Sequence, residues 1–141
     1  METDLLLEVL HKAGMRVTPQ RLAIGEYLFA TEDHPTADQI FRQLKPRHPS
    51  LSLTTVYNTL DALVAMGVVN AIGSVGDDKV HFDGNVSPHI NLACQSCHQI
   101  FDLDSECVNQ LDEEIHAKSG FEIIGSRILY FGTCPSCNSN L

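Results

Sequence analysis

Two identical cysteine pairs constrain this 141-residue chain more than any other feature of its sequence. Cys94 and Cys97 bracket two residues, and Cys134 and Cys137 do the same. This spacing lets both sulfurs of a pair point at one ion from a tight turn, and two such turns complete a tetrahedral thiolate site. The pattern therefore predicts one structural zinc ion (Zn2+) per chain, which would tie the C-terminal segment back to residues 94–97.

Two other kinds of cysteine chemistry fit parts of this pattern. A single CxxC pair is also typical of a redox-active dithiol, and four thiolates can hold an iron–sulfur cluster. The presence of two pairs favours zinc over both. A four-sulfur site leaves no open coordination position for a substrate, so we expect this metal to stabilise the fold. We predict no catalytic residues, and a protein that is not an enzyme.

The remaining composition predicts a cytoplasmic protein. No apolar run approaches the length that spans a bilayer, and the N-terminus lacks the basic start of a secretory signal. The odd fifth cysteine, Cys107, fits a reducing compartment better than a secreted disulfide scaffold. We interpret Cys107 as a partly buried helix residue.

Net charge is unevenly distributed along the chain. The total of −9 argues against a polyanionic partner, because affinity for nucleic acid comes largely from Lys and Arg. Residues 1–80, however, carry seven basic and ten acidic side chains, whereas residues 81–141 carry two and eight. A local basic face in the first part is therefore compatible with the acidic total.

The N-terminal part carries helix start signals followed by a change of period. Capping residues predict four helices, starting at Thr3, Thr18, Thr36 and Ser52. Residues 68–72 and 79–82 then read as two short strands around glycines and aspartates, which indicates a β-hairpin. Helices followed by a hairpin, with a helix–turn–helix over residues 36–67, predict a winged-helix DNA-binding domain.

The outward face of the fourth predicted helix suits DNA. Hydroxyls, a phenol and an amide on this face can contact base edges or phosphates, although a plain solvated face is an equally simple interpretation. Lys79 in the hairpin can likewise contact phosphate or only water. The outward residues are Thr54, Thr55, Tyr57, Asn58 and Asp61.

Histidines and carboxylates cluster near the predicted link at residues 84–88. A single histidine is more often a solvated or core residue, but imidazole and carboxylate groups together suit ferrous iron, manganese or zinc. Such a mixed site can leave coordination positions open, and it would need a remote ligand such as His34. The clustered residues are His81, Asp83, His89, Asn91 and Asp102.

The C-terminal part predicts a small α/β dimerisation domain. Strands are expected at residues 90–93, 99–103 and 121–131, and Val108, Leu111 and Ile115 give the intervening helix an apolar stripe. Exposed strand edges favour pairing with a second copy. The expected fold class is therefore α+β, with a winged-helix domain at residues 1–83, a dimerisation domain at 84–141 and a hinge at about 83–89.

Several motifs together resemble those of the ferric uptake regulator (Fur) family, over essentially the whole chain. The matching segments are Gly14 to Arg21, His34 to Asp38, Thr54 to Leu60, Gly67 to Val69 and both CxxC pairs. The resemblance implies a homodimeric, metal-dependent transcriptional repressor. Its partner would be a double-stranded DNA operator with two-fold symmetry.

Within that family the chain is most similar to the peroxide-sensing (PerR) branch. Asn58 stands where iron sensors usually carry Arg, and Asp102 stands where they usually carry Glu. The resemblance implies a regulatory Fe2+ or Mn2+ bound by His34, Asp83, His89, Asn91 and Asp102. Position 91 departs from the family, which has His there; an Asn carbonyl oxygen is a weaker ligand than imidazole. His81 is a candidate to compensate.

The resemblance also implies residue roles in DNA binding and a sensing reaction. Peroxide would oxidise a ligand histidine, and the dimer would then release its operator. The candidate DNA-binding residues are Arg16, Thr18, Gln20, Arg21, Thr54, Thr55, Tyr57, Asn58 and Lys79.

Three alternative functions fit the sequence. They are a sensor of iron, manganese or zinc occupancy, a CxxC thiol oxidoreductase, and a zinc-ribbon interaction module without a DNA role.

Overall fold

The computed structural model of the chain describes residues 2–73, 75–123 and 125–138. It divides into two compact units. The first unit comprises Met1–Gly73 with Lys79–Val86, and the second comprises Ser74–Asp78 with Ser87–Leu141. None of the helices in the described part of the chain has the length and apolar character needed to cross a membrane.

Four helices and a hairpin form the first unit. The helices are α1 (Glu2–Lys12), α2 (Pro19–Ala30), α3 (Ala37–Leu44) and α4 (Leu53–Ala65). They are followed by the antiparallel strands β1 (Asn70–Ile72) and β2 (His81–Asp83), paired from Asn70 with Asp83 to Ile72 with His81. This element order is that of a winged helix, as predicted.

Side-chain caps start three of these helices at the predicted residues. Thr18 accepts a hydrogen bond from the amide of Arg21, and Ser52 accepts one from the amide of Thr55. Thr36 forms a reciprocal capping box with Gln39, so that two backbone amides of α3 are satisfied at once. The predicted cap Thr3 is wrong, because α1 already begins at Glu2.

The large hydrophobic core lies entirely within the first unit. Apolar residues at helical spacing on α1 to α4 point inward and pack with Val69 and Phe82 from the hairpin region. The core consists of Leu6, Val9, Ile24, Leu28, Ala37, Ile40, Leu51, Val56, Leu60, Leu63, Val69 and Phe82. This packing makes the helix–turn–helix a rigid platform for the exposed face of α4.

A three-stranded sheet organises the second unit. Strand β3 (Ile90–Cys94) is central, with β4 (Ile100–Leu103) antiparallel on one side and β5 (Ile128–Gly132) parallel on the other. Helix α5 (Glu106–Ser119) connects β4 to β5. It starts at the Ser105 cap and ends at Gly120, which has the left-handed φ of 75° that favours glycine.

Three details of the second unit differ from the sequence prediction. The predicted strand at 121–131 begins only at Ile128, where pairing with Ile90 of β3 starts; Ile124 lies outside the described residues. Cys107 is exposed, because it lies on the side of α5 away from the buried Val108. A short helix, α6 (Pro135–Asn138), follows Cys134 and was not predicted.

Candidate metal centres and nucleic-acid interface

The four predicted zinc ligands lie together in the second unit. Cys94 ends β3, Cys97 follows in the turn to β4, and Cys134 and Cys137 lie at α6, after β5. Because β5 runs parallel to β3, with Cys94 opposite Gly132, both CxxC turns come to the same end of the sheet. The four sulfurs lie within 4.8 Å of one another.

Sulfur spacing fits a tetrahedral metal site and not a disulfide. Cys97 Sγ and Cys134 Sγ are 3.9 Å apart, and all five cysteines are free. Four thiolates at the usual Zn–S distance have edges of about 3.8 Å, whereas a disulfide bond is about 2 Å long. The clustering of both pairs weighs against an isolated redox dithiol, since each sulfur has three sulfur neighbours.

The electrostatics of the four thiols also favour a cation. The amide of Cys134 donates to Cys94 Sγ at 3.3 Å, and this hydrogen bond lowers the pKa of Cys94 to about 6. Interaction with the neighbouring Cys134 thiol raises the pKa of Cys137 to about 12. Cys94 therefore loses its proton readily, whereas deprotonation of Cys137 is opposed by the neighbouring thiols. A divalent ion removes this conflict, because all four ligands can then be deprotonated.

A buried histidine–carboxylate pair lies in the first unit. His34 Nε2 is 3.5 Å from Asp83 Oδ2, and both side chains are less than a tenth exposed. Asp83 ends β2, and its other oxygen accepts a hydrogen bond from the amide of Asn85 at 2.8 Å. The pair therefore presents an imidazole nitrogen and a carboxylate oxygen, both suitable for Fe2+, Mn2+ or Zn2+.

Strand β2 holds the segment that carries His34. Thr36 forms a β-bridge with His81, and the amide of Phe82 donates to the carbonyl oxygen of Pro35 at 2.9 Å. His81 Nδ1 donates to the carbonyl oxygen of His34 at 2.6 Å. From its sequence position, His81 was predicted only as a substitute metal ligand. The spacing of two residues between His81 and Asp83, which places both on one face of a strand, could have indicated a supporting role.

A second group of ligand-type side chains, the His89 cluster of His89, Asn91 and Asp102, lies in the second unit. Asn91 on β3 stands directly opposite Asp102 on β4, so their side chains share one face of the sheet. His89 precedes β3 and is two residues from Asn91, which gives it the same side. His89 Nε2 is 3.2 Å from Asn91 Oδ1 and 3.6 Å from Asp102 Oδ1.

The hydrogen bonding of His89 orients this cluster for a cation. His89 Nδ1 donates to the carbonyl oxygen of Ser87 at 2.6 Å, which fixes the proton of the neutral ring on Nδ1. The Nε2 lone pair then faces two oxygens that are also electron-pair donors. An imidazole nitrogen and two oxygens that converge at these distances form a donor set that fits a divalent metal ion.

The candidate DNA-binding residues fall into two groups. One group has side chains that are exposed, including Tyr57 at 45%. In the other group the side chains contact local structure. Thr18 Oγ1 caps α2, and Thr55 Oγ1 lies 2.9 Å from the hydroxyl oxygen of the cap residue Ser52. Gln20 Nε2 donates to Ser50 Oγ, and Arg21 donates to the carbonyl oxygen of Arg16. The exposed group consists of Arg16, Thr54, Tyr57, Asn58 and Lys79.

Comparison with known proteins identifies the family. The model of the ferric uptake regulator family matches residues 12–131. The peroxide-responsive repressor PerR of Staphylococcus epidermidis is 34% identical over 136 residues, covering 96% of this chain and 90% of that protein. These matches extend over both units of the structure.

Solved structures give the same result for the fold. PerR of Streptococcus pyogenes, described as a peroxide-sensing gene regulator, is 33% identical and superposes with a TM-score of 0.55, covering 96% of this chain and 92% of that one. The Helicobacter pylori ferric uptake regulator, which has three functional metal-binding sites, superposes with a TM-score of 0.80 at 17% identity, covering 98% and 95%. The chain belongs to the ferric uptake regulator family, whose members are dimeric, metal-responsive DNA-binding regulators.

Proposed function

We propose that this protein is a homodimeric transcriptional repressor that binds a two-fold-symmetric operator when a regulatory metal is bound and releases it after reaction with hydrogen peroxide. The observation that carries the proposal is the His89 cluster, in which an imidazole nitrogen faces two oxygens at 3.2 and 3.6 Å. Such a donor set suits a divalent cation, and family membership supplies the regulatory context.

Two metals have separate roles in this proposal. Zn2+ held by the four cysteines stabilises the second unit, because a four-sulfur site has no open position for chemistry. The regulatory ion, Fe2+ or Mn2+, is bound by the histidine, carboxylate and amide groups of both units. Its ligands are His34, Asp83, His89, Asn91 and Asp102.

Metal binding acts as a switch because its ligands come from both units. An ion that requires ligands from the two units together binds only the conformations in which they can share it. It thereby favours one arrangement of the paired winged helices, and affinity for the operator and for the metal increase together. DNA contacts would come from the exposed residues of the first unit, chiefly Asn58, Tyr57 and Thr54 on α4.

Peroxide sensing follows from the chemistry of the ligands. A bound ferrous ion supplies the reactivity that activates peroxide. The ring carbon of His34 or His89 gains one oxygen atom, and the other oxygen of the peroxide leaves as water. An oxidised ring is a poorer ligand, so the switch returns to its metal-free state and repression ends. The likeness to PerR proteins, together with Asn58 and Asp102, supports this branch over an iron sensor.

Asn91 favours a second candidate function, a sensor of metal occupancy. Its amide oxygen is in place beside His89 but is a weaker ligand than imidazole, and amide oxygens suit harder ions such as Mn2+. A protein that binds Mn2+ in preference to Fe2+ would respond to metal supply and not to peroxide.

The proposed function is tested by selection of DNA. Protein loaded with Mn2+ is used to select operators from sheared genomic DNA, and binding is then measured with and without the ion. His34→Ala and Asp102→Ala should abolish the dependence on Mn2+, whereas His11→Ala, an exposed histidine on α1, should not alter it. Metal-dependent binding that persists in both ligand variants would refute the proposed site.

A further inference from the structure

We propose that His81 is a positioning residue for the regulatory metal site, which it serves by fixing the backbone of the segment that carries His34. The inference rests on the proposed function, since it assigns His34 as a metal ligand. It differs from the simpler idea that His81 is itself a substitute ligand.

The contact of His81 with His34 is specific and buried. His81 is 7% exposed, and its Nδ1 lies 2.6 Å from the carbonyl oxygen of His34, 47 positions away in sequence. A carbonyl oxygen only accepts hydrogen bonds, so Nδ1 carries the proton and is the donor. This nitrogen is therefore committed to the backbone and not available to a metal.

The hydrogen bond adds a side-chain contact to the β-bridge that joins β2 to the segment before α3. The carbonyl oxygens of His34 and Pro35 accept from His81 Nδ1 and from the amide of Phe82, and Thr36 pairs with His81 as a β-bridge. Asp83 is the last residue of β2, and its Oδ2 lies 3.5 Å from His34 Nε2. The His81 side chain therefore anchors the ligand residue itself.

The consequence for metal binding is a matter of preorganisation. Pro35 has no amide hydrogen, so the backbone between His34 and Thr36 offers fewer donors to neighbouring groups. Without the His81 hydrogen bond, the carbonyl oxygen of His34 loses this donor. The backbone of His34 is then held less firmly, and the His34 imidazole is no longer fixed toward Asp83. Outer groups that orient metal ligands typically contribute about 10–100-fold to metal affinity.

Substitutions at position 81 distinguish a role as hydrogen-bond donor to His34 from a role as metal ligand. The side-chain amide nitrogen of Asn can occupy the place of His Nδ1, whereas that of Gln reaches the place of Nε2. His81→Asn should therefore retain the hydrogen bond to His34, and His81→Gln and His81→Leu should lose it. If His81 instead bound the metal through Nε2, His81→Gln would be the better replacement.

The experiment measures Mn2+ affinity of the full zinc-loaded chain, at a temperature where each variant is folded by circular dichroism. We expect His81→Leu and His81→Gln to weaken Mn2+ binding about 10–100-fold, and His81→Asn to bind nearly as tightly as wild type. Amide exchange of Phe82 in the Mn2+-free protein should accelerate in the Leu and Gln variants and stay slow in His81→Asn.

Each other outcome has a definite meaning. Equal Mn2+ affinity in all variants, or stronger binding by His81→Gln than by His81→Asn, overturns the positioning role. If His81→Leu does not fold, the comparison of Asn with Gln still decides. A wild-type protein that binds no Mn2+ beyond its zinc overturns the proposed function instead, because the site itself would then be absent.

Discussion

Removal of the four-cysteine site should destabilise the second unit selectively, while the first unit keeps its stability. Cys134→Ser replaces one sulfur in a cluster whose members lie within 4.8 Å of one another. Buried apolar residues of the second unit are few among those described: Val75, Ala93, Cys94 and Val108. The large hydrophobic core belongs wholly to the first unit. The second unit therefore depends on the metal in a way that the first does not.

The magnitude follows from the chain that the metal closes. Cys97 and Cys134 are 37 residues apart, and a cross-link over a loop of that length stabilises the folded state by about 4 kcal/mol in the chain-entropy relation. With an m-value of about 1–3 kcal/mol/M in urea, this loss lowers the midpoint of the second unit by more than about 1 M. The total free energy of unfolding of a domain is typically about 5–15 kcal/mol, so this loss is a large fraction of it.

Zinc content, urea unfolding and oligomeric state together provide the assay. Cys134→Ser should lose its zinc and unfold in two steps, the second unit first. We also expect it to run as a monomer, because the exposed apolar side chains of β4 and β5, which the proposed dimer would cover, then lose their ordered sheet. Cys107→Ser is the matched control, since Cys107 is exposed and outside the cluster. A Cys134→Ser protein that stays dimeric with an unchanged midpoint would refute the reasoning.

Three further predictions concern the first unit. Thr36→Ala removes the capping hydrogen bond from the amide of Gln39 to Thr36 Oγ1 and should reduce unfolding free energy by about 1 kcal/mol, measured by urea unfolding; no change would contradict the cap. Gly84→Ala places a Cβ 2.5 Å from the carbonyl oxygen of Leu28 and should cost about 1–3 kcal/mol, whereas Gly73→Ala meets nothing within 4 Å; equal stability of the two variants would argue against the close approach. Asn58→Ala should weaken binding to the selected operator by about 1–3 kcal/mol and leave stability unchanged, which gel-shift titration and thermal unfolding would check; an unaltered affinity would exclude a base contact by Asn58.

Features that depend on neighbouring residues were predicted from the sequence. The CxxC spacing determines that two sulfurs can reach one ion, and the caps Thr18, Thr36 and Ser52 act on amides three residues away. Each of these depends on local geometry that the order of residues determines directly.

Features that depend on distant partners were not predicted. Among the described residues before Ile128 the predicted strand is absent, and β5 pairs with β3 only from Ile128, opposite Ile90, onward. Leu111 and Ile115 form the expected helical stripe but are 46% and 41% exposed, since periodicity identifies a face and not what covers it. The hydrogen bond from His81 to His34 spans 47 positions; the spacing of His81 and Asp83 places both on one face of β2 but does not identify the carbonyl oxygen that His81 contacts.

Peroxide reactivity of the metal ligands tests the central claim most directly. Protein loaded with Fe2+ is exposed briefly to hydrogen peroxide and digested, and the peptides are measured by mass spectrometry beside a sample loaded with Mn2+. The account predicts one added oxygen on the peptide that carries His34 or His89, in the iron-loaded sample only. Unmodified ligand peptides in both samples, with zinc still bound by the cysteines, would contradict peroxide sensing and leave a sensor of metal occupancy.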